Sequence, residues 1–322
     1  MKKSRVILDA EEFVATFALY EDLRNKSFLI TGASGLIGRT LVRCLSRLND
    51  VYNLNTVLYA PRHAELEDWI ASYDGRVDYI IHLACPTASH EMLTHPVEVC
   101  NAIIEPTRHL LDFALQQQAV MVYASSMEVY GAVATDDEIT EEYQGYIDPL
   151  SARSSYPMGK RMAETLCYCY AQEYGVDVRI ARLAQTFGAG IATEEQRVFA
   201  QFARSVIAGR DIILHTAGRS ARKYLYLTDA IQALLYILIK GEKGQAYNAA
   251  HPQSYISVLE MAKLLQQDFA PQINVRVEMI ENSPYPCESH LNLSTTKLET
   301  LGWQARVPLK EMFARLIESL RE

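Results

Sequence analysis

Residues 27–48 constrain the fold more than any other stretch. They read SFLITGASGLIGRTLVRCLSRL: a short apolar run of β character, a turn carrying Gly32, Gly35 and Gly38, and an amphipathic helix. The same alternation then repeats. NTVLYA, VDYIIHLA, AVMVYASS and DVRIARL read as strands, and AELEDWIASY, VEVCNAIIEPTRHLLDFALQQ and YPMGKRMAETLCYCYAQEYG read as the helices between them. Each strand is an unbroken apolar run, the pattern of a parallel sheet covered on both faces. The expected fold class is α/β, a doubly wound parallel sheet. Pro106 inside the third helical stretch predicts a kink or a restart there.

Past about residue 186 the pattern loosens into short β runs (DIILHT, KYLYLT, VRVEMI), helices near 195–208, 228–240 and 257–268, and a polar loop, ENSPYPCESH. This predicts three regions. Residues 1–24 carry a leading helix, read over 10–24 from apolar residues at 13, 14, 17 and 18. Residues 25–185 form the main domain, with a returning segment near 224–250. Residues 186–322 form mainly a smaller C-terminal lobe. A chain of 322 residues is long enough for such a pair of unequal lobes.

The glycine turn has a specific physical use. One glycine makes the tight turn, one lets a pyrophosphate approach the backbone, and one packs helix on strand, while the helix N-terminus offers N–H groups to phosphates. The turn follows a strand and opens a helix, which is the context a dinucleotide site of Rossmann type requires. Gly32, Ser34, Gly35, Leu36, Ile37 and Gly38 are therefore candidate cofactor contacts. A carboxylate for ribose hydroxyls is expected about twenty residues further on. The sequence there, VLYAPRHAE, offers Arg62 instead, which is compatible with a 2′-phosphate. The cofactor reads as NAD or NADP.

Composition excludes other classes. The net charge of −8 gives a nucleic-acid partner no electrostatic support. Cysteines stand at 44, 85, 100, 167, 169 and 287 without a CxxC pair or zinc-type histidine spacing, so they read as reduced thiols, and no metal site is expected. The N-terminus MKKSRVILDAEEF lacks the apolar core of a signal peptide. The longest apolar run, AIQALLYILI, is too short to span a bilayer. The expected location is the cytoplasm, with no membrane association.

Two further segments carry chemistry: YASSMEVYG, and some thirty residues later SYPMGKRMAE. Tyr156 and Lys160 are four apart and share a helix face. A Tyr-x-x-x-Lys spacing alone means little, because Tyr236 and Lys240 repeat it inside an apolar helix where the tyrosine reads as core. Tyr156 differs in opening the helix that follows the strand ending in Ser125 and Ser126. Gly159 beside the lysine reads as room for a cofactor. A tyrosine with a pKa of about 10 becomes a base near pH 7 only if its phenolate gains roughly 4 kcal/mol. An ammonium about 4 Å away at an effective dielectric of about 20 supplies a term of that size. Ser126 would hydrogen-bond and orient the same substrate hydroxyl.

Taken together, TGASGLIG, IIHLACP, YASSMEVYG, SYPMGKRMAE, RIARLAQTFGAG, RKYLYLTDA and LGWQARVPLKE resemble the extended short-chain dehydrogenase/reductase family of nucleotide-sugar epimerases, dehydratases and decarboxylases. The middle of the chain is most similar to UDP-glucuronate decarboxylases. The resemblance implies a nucleoside-diphosphate sugar in the C-terminal lobe and a homodimer built on helices near 100–118 and 157–173. It implies Ser126, Tyr156 and Lys160 as the catalytic set, with Lys160 also holding the nicotinamide ribose. It implies that Leu83, Ala84 and Cys85 line the cofactor, that Arg222 faces the diphosphate, and that Thr87 and Gln185 touch substrate. The dehydratases carry Asp-Glu where this chain has Met127–Glu128. Methionine cannot donate a proton, which disfavours water elimination at C6 and leaves Glu128 as a catalytic candidate. Gln185 stands where relatives carry Asn, and the short segment 61–77 implies a differently built adenine pocket.

The implied chemistry is transient oxidation at C4 of the sugar, followed by decarboxylation or epimerisation. Two other readings remain open at this level: an NADPH-dependent reductase of a 4-keto-sugar nucleotide, favoured by Arg62, and a non-catalytic cofactor-sensing protein, disfavoured by the retained Tyr156 and Lys160.

Overall fold

The computed structural model describes residues 3–280 and 288–322. Most of the ENSPYPCESH loop, with Cys287, lies outside them. Helix α1 (Arg5–Thr16) precedes β1 (Ser27–Thr31), α2 (Leu36–Tyr52), β2 (Val57–Tyr59), α3 (Leu66–Ser72), β3 (Tyr79–His82), α4 (Ser89–Thr94), α5 (Pro96–Gln117), β4 (Val120–Ser126), α6 (Ser155–Glu173) and β5 (Val178–Leu183). Then follow β6 (Gln185–Phe187), α7 (Val198–Ala208), β7 (Ile212–Leu214), β8 (Ala221–Arg222), β9 (Tyr224–Tyr226), α8 (Leu227–Lys240), β10 (Ala246–Ala249), β11 (Ile256–Ser257), α9 (Val258–Phe269), β12 (Val275–Val277), β13 (His290–Leu291), α10 (Thr296–Glu299) and α11 (Leu309–Leu320).

The main sheet is parallel throughout, in the order β10-β5-β4-β3-β1-β2. It is the doubly wound sheet expected from the alternating pattern. The direction of winding reverses between β1 and β3, which places a crevice at their carboxyl ends. Residues 246–249 supply the far edge strand, so the chain returns to the first sheet after building part of the second lobe. One apolar cluster, with Phe28, Ile30, Leu41, Ile231 and Leu234, lies between the sheet and helices α2 and α8. A second, with Ile80, Leu110, Tyr123, Ala163 and Cys167, lies on the opposite face under α5 and α6. A third, built from Phe187, Phe199, Leu265 and Phe313, is the core of the C-terminal lobe.

Three local readings need correction. The leading helix spans Arg5–Thr16, and the chain beyond it turns into a short 3-10 segment, Tyr20–Leu23. The position of α1 is set by tertiary contacts: buried Asp9 meets Arg5, Arg315 and the Tyr226 hydroxyl. Pro106 does not restart the helix, for α5 runs unbroken through it. Gly159 opens no space for a ligand: a Cβ there would lie 2.9 Å from Ile103 Cδ1, so the glycine allows α6 to approach α5.

Candidate active site

Parallel strands send their following loops to one edge. The glycine turn after β1, the Leu83–Thr87 loop after β3, the Ser126–Glu128 turn after β4 and Gln185 just after β5 therefore converge there. Gly32 has φ +73°, and a Cβ on it would sit 2.6 Å from Ala84 N. That contact presses the turn against the Leu83–Cys85 segment across the winding switch. A Cβ on Gly38 would sit 2.2 Å from Gly32 O, so helix and turn also interlock without side chains. Gly35 differs: a Cβ would meet only Gly32 O at 3.3 Å, and the residue is exposed. It opens α2 with no side-chain cap and no acidic residue in the first turn. Uncapped N–H groups at the end of a 17-residue helix, beside an open glycine, fit a dinucleotide pyrophosphate. Leu36 and Ile37 are partly exposed in that first turn, with Ser34 exposed just before it.

The end of β3 is fixed by a buried relay. Thr31 Oγ1 lies 2.7 Å from His82 Nδ1, His82 Nε2 lies 3.2 Å from Thr107 Oγ1, and Thr107 donates to the Ile103 carbonyl at 2.6 Å. Since the Thr107 proton is committed to Ile103, His82 donates through Nε2 and accepts at Nδ1. Burial pushes its pKa down to about 3, so the imidazole is neutral at working pH. His82 thereby ties β1, β3 and α5 together below the Leu83–Cys85 segment.

At the end of β4, Ser126 leaves its strand in extended conformation, and its Oγ accepts from Glu128 N at 3.2 Å. Tyr156 and Lys160 are both buried on α6. Lys160 Nζ donates to the Ala124 carbonyl at 2.7 Å and lies 4.6 Å from the Tyr123 ring centre and 5.9 Å from that of Tyr156. Tyr156 and Lys160 thus stand beside Ser126, at the edge where the glycine turn opens. The electrostatic balance differs from the simple Tyr–Lys expectation. Burial is the main influence on the Tyr156 phenol and pushes it up; Cys85 and Glu128 add to this, while Ser126 and Arg153 pull down. The Lys160 ammonium is spent on a carbonyl and a ring face, so the protein alone leaves the phenol protonated. The Cys85 thiol is also pushed up by burial, with Lys160 opposing.

Sequence reasoning missed Arg153. Its Nη2 donates to Glu128 Oε2 at 2.8 Å, so the carboxylate beside Tyr156 is paired. Met127 lies in the core, 4% exposed. Arg222 is half-buried on β8, where its backbone pairs with Ile256 and Leu291, and its side chain makes no hydrogen bond or ion pair among the described residues. Thr87 is exposed after β3, and Gln185 is half-buried on β6 opposite Tyr224. Arg62 is exposed beyond β2, 3.8 Å from Glu65. The nearby Tyr59, Trp69 and Tyr73 pack ring on ring over the short 61–77 segment. Tyr236, of the second Tyr-x-x-x-Lys, is a core residue of α8. No helix among the described residues is long and apolar enough to cross a membrane.

A Rossmann-type sheet with an open glycine turn, a buried Tyr–Lys pair and a serine at the same edge defines a nicotinamide-dependent dehydrogenase-like class. The chain belongs to the NAD dependent epimerase/dehydratase family, whose model matches residues 28–250. The family resemblance read from the motifs, the fold class and a nicotinamide cofactor all accord with this. UDP-glucuronic acid decarboxylase 6 of Arabidopsis thaliana is 30% identical over 312 residues, covering 92% of this chain and 89% of that protein. UDP-glucuronic acid decarboxylase 1 of Xenopus tropicalis is 29% identical, covering 92% and 73%. Among solved structures, UDP-glucose 4-epimerase of Thermotoga maritima with UDP-glucose superposes with a TM-score of 0.79 at 22% identity, covering 92% and 99%. RMD of Pseudomonas aeruginosa complexed with NADPH gives 0.75 at 22% identity, covering 92% and 100%.

Proposed function

We propose that this chain acts on a nucleoside-diphosphate sugar through transient oxidation at C4, and that it decarboxylates a UDP-hexuronic acid. The observation that carries the choice is Met127. The position next to Glu128 is an apolar core residue and cannot protonate a leaving hydroxyl at C6, which argues against dehydration. The similarity to UDP-glucuronic acid decarboxylases over nine-tenths of the chain supports the same reading.

The site residues divide the work as follows. The glycine turn and the first turn of α2 hold the pyrophosphate of NAD or NADP, Leu83, Ala84 and Cys85 line its other side, and Lys160 binds the nicotinamide ribose. The bound nicotinamide supplies a hydride acceptor that is regenerated within the turnover. Tyr156 takes the proton of the C4 hydroxyl, and Ser126 hydrogen-bonds the same oxygen. Burial otherwise keeps the Tyr156 phenol protonated, and a positively charged ring bound beside it would offset that burial. A carbonyl at C4 makes a C5 carboxylate a β-keto acid. The C5–C6 bond breaks, its electron pair enters the C4 enolate, CO₂ leaves, and C5 takes a proton, a transfer we assign to Glu128. Arg222, whose side chain has no hydrogen-bond or ion-pair partner among the described residues, meets the diphosphate, with Thr87 and Gln185 contacting the rest of the substrate. The same reading places the protein in the cytoplasm as a homodimer joined through α5 and α6, whose outer faces expose Val97, Leu115, Met158 and Met162.

Proton NMR of UDP-glucuronate incubated with the protein and either nicotinamide dinucleotide tests the proposal. A UDP-pentose and carbon dioxide in equal amounts, with no net absorbance change at 340 nm, is the expected result. An unchanged acid, with turnover of a neutral UDP-hexose instead, selects epimerisation.

A further inference from the structure

Glu128 poses an electrostatic problem. A carboxylate at the end of β4 stands beside a phenol that must lose its proton, and like charges oppose that loss. The structure contains a residue suited to offset it. Arg153 lies in a short 3-10 turn, Ala152–Ser154, immediately before α6, so the helix that carries Tyr156 also fixes the guanidinium. Its Nη2 reaches Glu128 Oε2 at 2.8 Å, and both side chains are about 30% exposed (28% and 31%), so the pair is partly shielded from water without being sealed off. We propose that Arg153 is a positioning residue that holds the Glu128 carboxylate and cancels its charge beside the Tyr156 hydroxyl, so that an acid–base carboxylate and a phenol base can work in one site.

This inference rests on Tyr156 being the base. The groups facing the phenol come from every element around it. Lys160 lies one turn along α6, and Cys85 comes from the loop after β3. Ser126 and Glu128 come from the end of β4, and Arg153 from the turn before α6. Tyr123 of β4 lies beneath the same ammonium. Glu128 raises the phenol and Arg153 lowers it. Lys160 is present in every variant below and its contribution is constant, committed to Ala124 and the Tyr123 ring. Arg153 is thus the cation whose removal exposes the Glu128 charge.

The test is the titration of Tyr156 itself. Protein loaded with NAD and labelled at the tyrosine ring Cζ carbon is followed by carbon NMR, with Tyr156 assigned from its absence in Tyr156→Phe. Arg153→Gln should raise the Tyr156 midpoint by about one pH unit, the lower end of the effect of a nearby charge, because the pair is partly exposed. The low-pH limb of kcat/KM should move by the same amount. Glu128→Gln should lower the midpoint, the double variant Glu128→Gln/Arg153→Gln should return it near wild type, and Arg153→Lys should hold it there. A midpoint indifferent to Arg153→Gln, or a double variant as raised as the single one, overturns the proposal. If Arg153→Gln does not fold, an unmoved midpoint in Glu128→Gln overturns it equally. Failure of the underlying reading is separable: full turnover in Tyr156→Phe would remove Tyr156 as base while the NMR titration still reports whether Arg153 and Glu128 act on the phenol.

Discussion

Lys160 Nζ donates to the carbonyl of Ala124 at 2.7 Å, fastening α6 to β4 with a buried cation that has no carboxylate partner among the described residues. An ammonium so placed is costly unless a further role repays its desolvation. Lys160→Met keeps the stem and removes the charge. It forfeits one hydrogen bond at about 1–3 kcal/mol but also relieves a buried charge, so the melting temperature should stay close to wild type. Turnover should be lost, and affinity for the dinucleotide should fall by at least about tenfold, roughly 1.4 kcal/mol. Calorimetric titration with NAD and NADP, alongside thermal melts, checks both halves.

The glycine turn separates folding from binding. Gly38→Ala places a methyl 2.2 Å from Gly32 O and should destabilise the protein by several kcal/mol. Gly35→Ala has an ordinary φ of −72° and meets only Gly32 O at 3.3 Å, so stability should change by under about 1 kcal/mol. Its methyl would nevertheless stand where the pyrophosphate approaches, and dinucleotide affinity should drop by about tenfold or more. Urea unfolding and cofactor titration on the two variants give the comparison.

Arg182 and Glu164 form a buried pair joining β5 to α6, with Nη2–Oε2 at 2.6 Å and both side chains 10% exposed. Arg182 also donates to the Tyr130 hydroxyl and the Glu141 carbonyl, which anchors the chain between β4 and α6. Glu164→Gln removes the charge opposite a buried guanidinium and should cost about 3–5 kcal/mol in urea unfolding.

Asp229 gives a pH dependence with a definite sign. Its Oδ2 accepts from the backbone N–H groups of Arg306 and Val307, and burial raises its pKa from 3.8 to about 6. The folded state therefore binds this proton more tightly than the unfolded chain. The stabilisation it gives is complete below about pH 4 and is lost as pH rises through about 6. Asp229→Asn keeps an oxygen for the two N–H groups and cannot ionise. The stability difference between the variant and wild type should grow in the variant's favour by on the order of 2 kcal/mol from pH 4 to 7. Denaturant midpoints at four pH values across that window are the check.

The individual strands, the glycine turn and the Tyr–Lys helix were legible because each is encoded within one contiguous segment. Periodicity fixed β1 to β5, and the distinction between Tyr156 and Tyr236 followed from what precedes each helix. What escaped depends on contacts between distant segments. Gly159 reads as cofactor space until Ile103, more than fifty residues earlier, is placed against it. The placement of α1 depends on Tyr226 and Arg315, 217 and 306 residues beyond Asp9. The pairing of Glu128 with Arg153 spans 25 residues and two turns of irregular backbone. The Tyr156 phenol depends on burial, and burial is a property of the assembled sheet edge rather than of an i, i+4 spacing. A sequence signal existed for Arg153 in ARSSYPMGK, a cation three residues before the tyrosine, but its direction did not.

Tyr156→Phe tests the central claim most directly. The variant removes one oxygen from a buried ring and leaves Lys160, Ser126 and the glycine turn in place. Turnover of the sugar nucleotide should fall by about 10²–10⁴-fold while NAD or NADP binds within about threefold of wild type. Wild-type turnover in the variant would contradict the account.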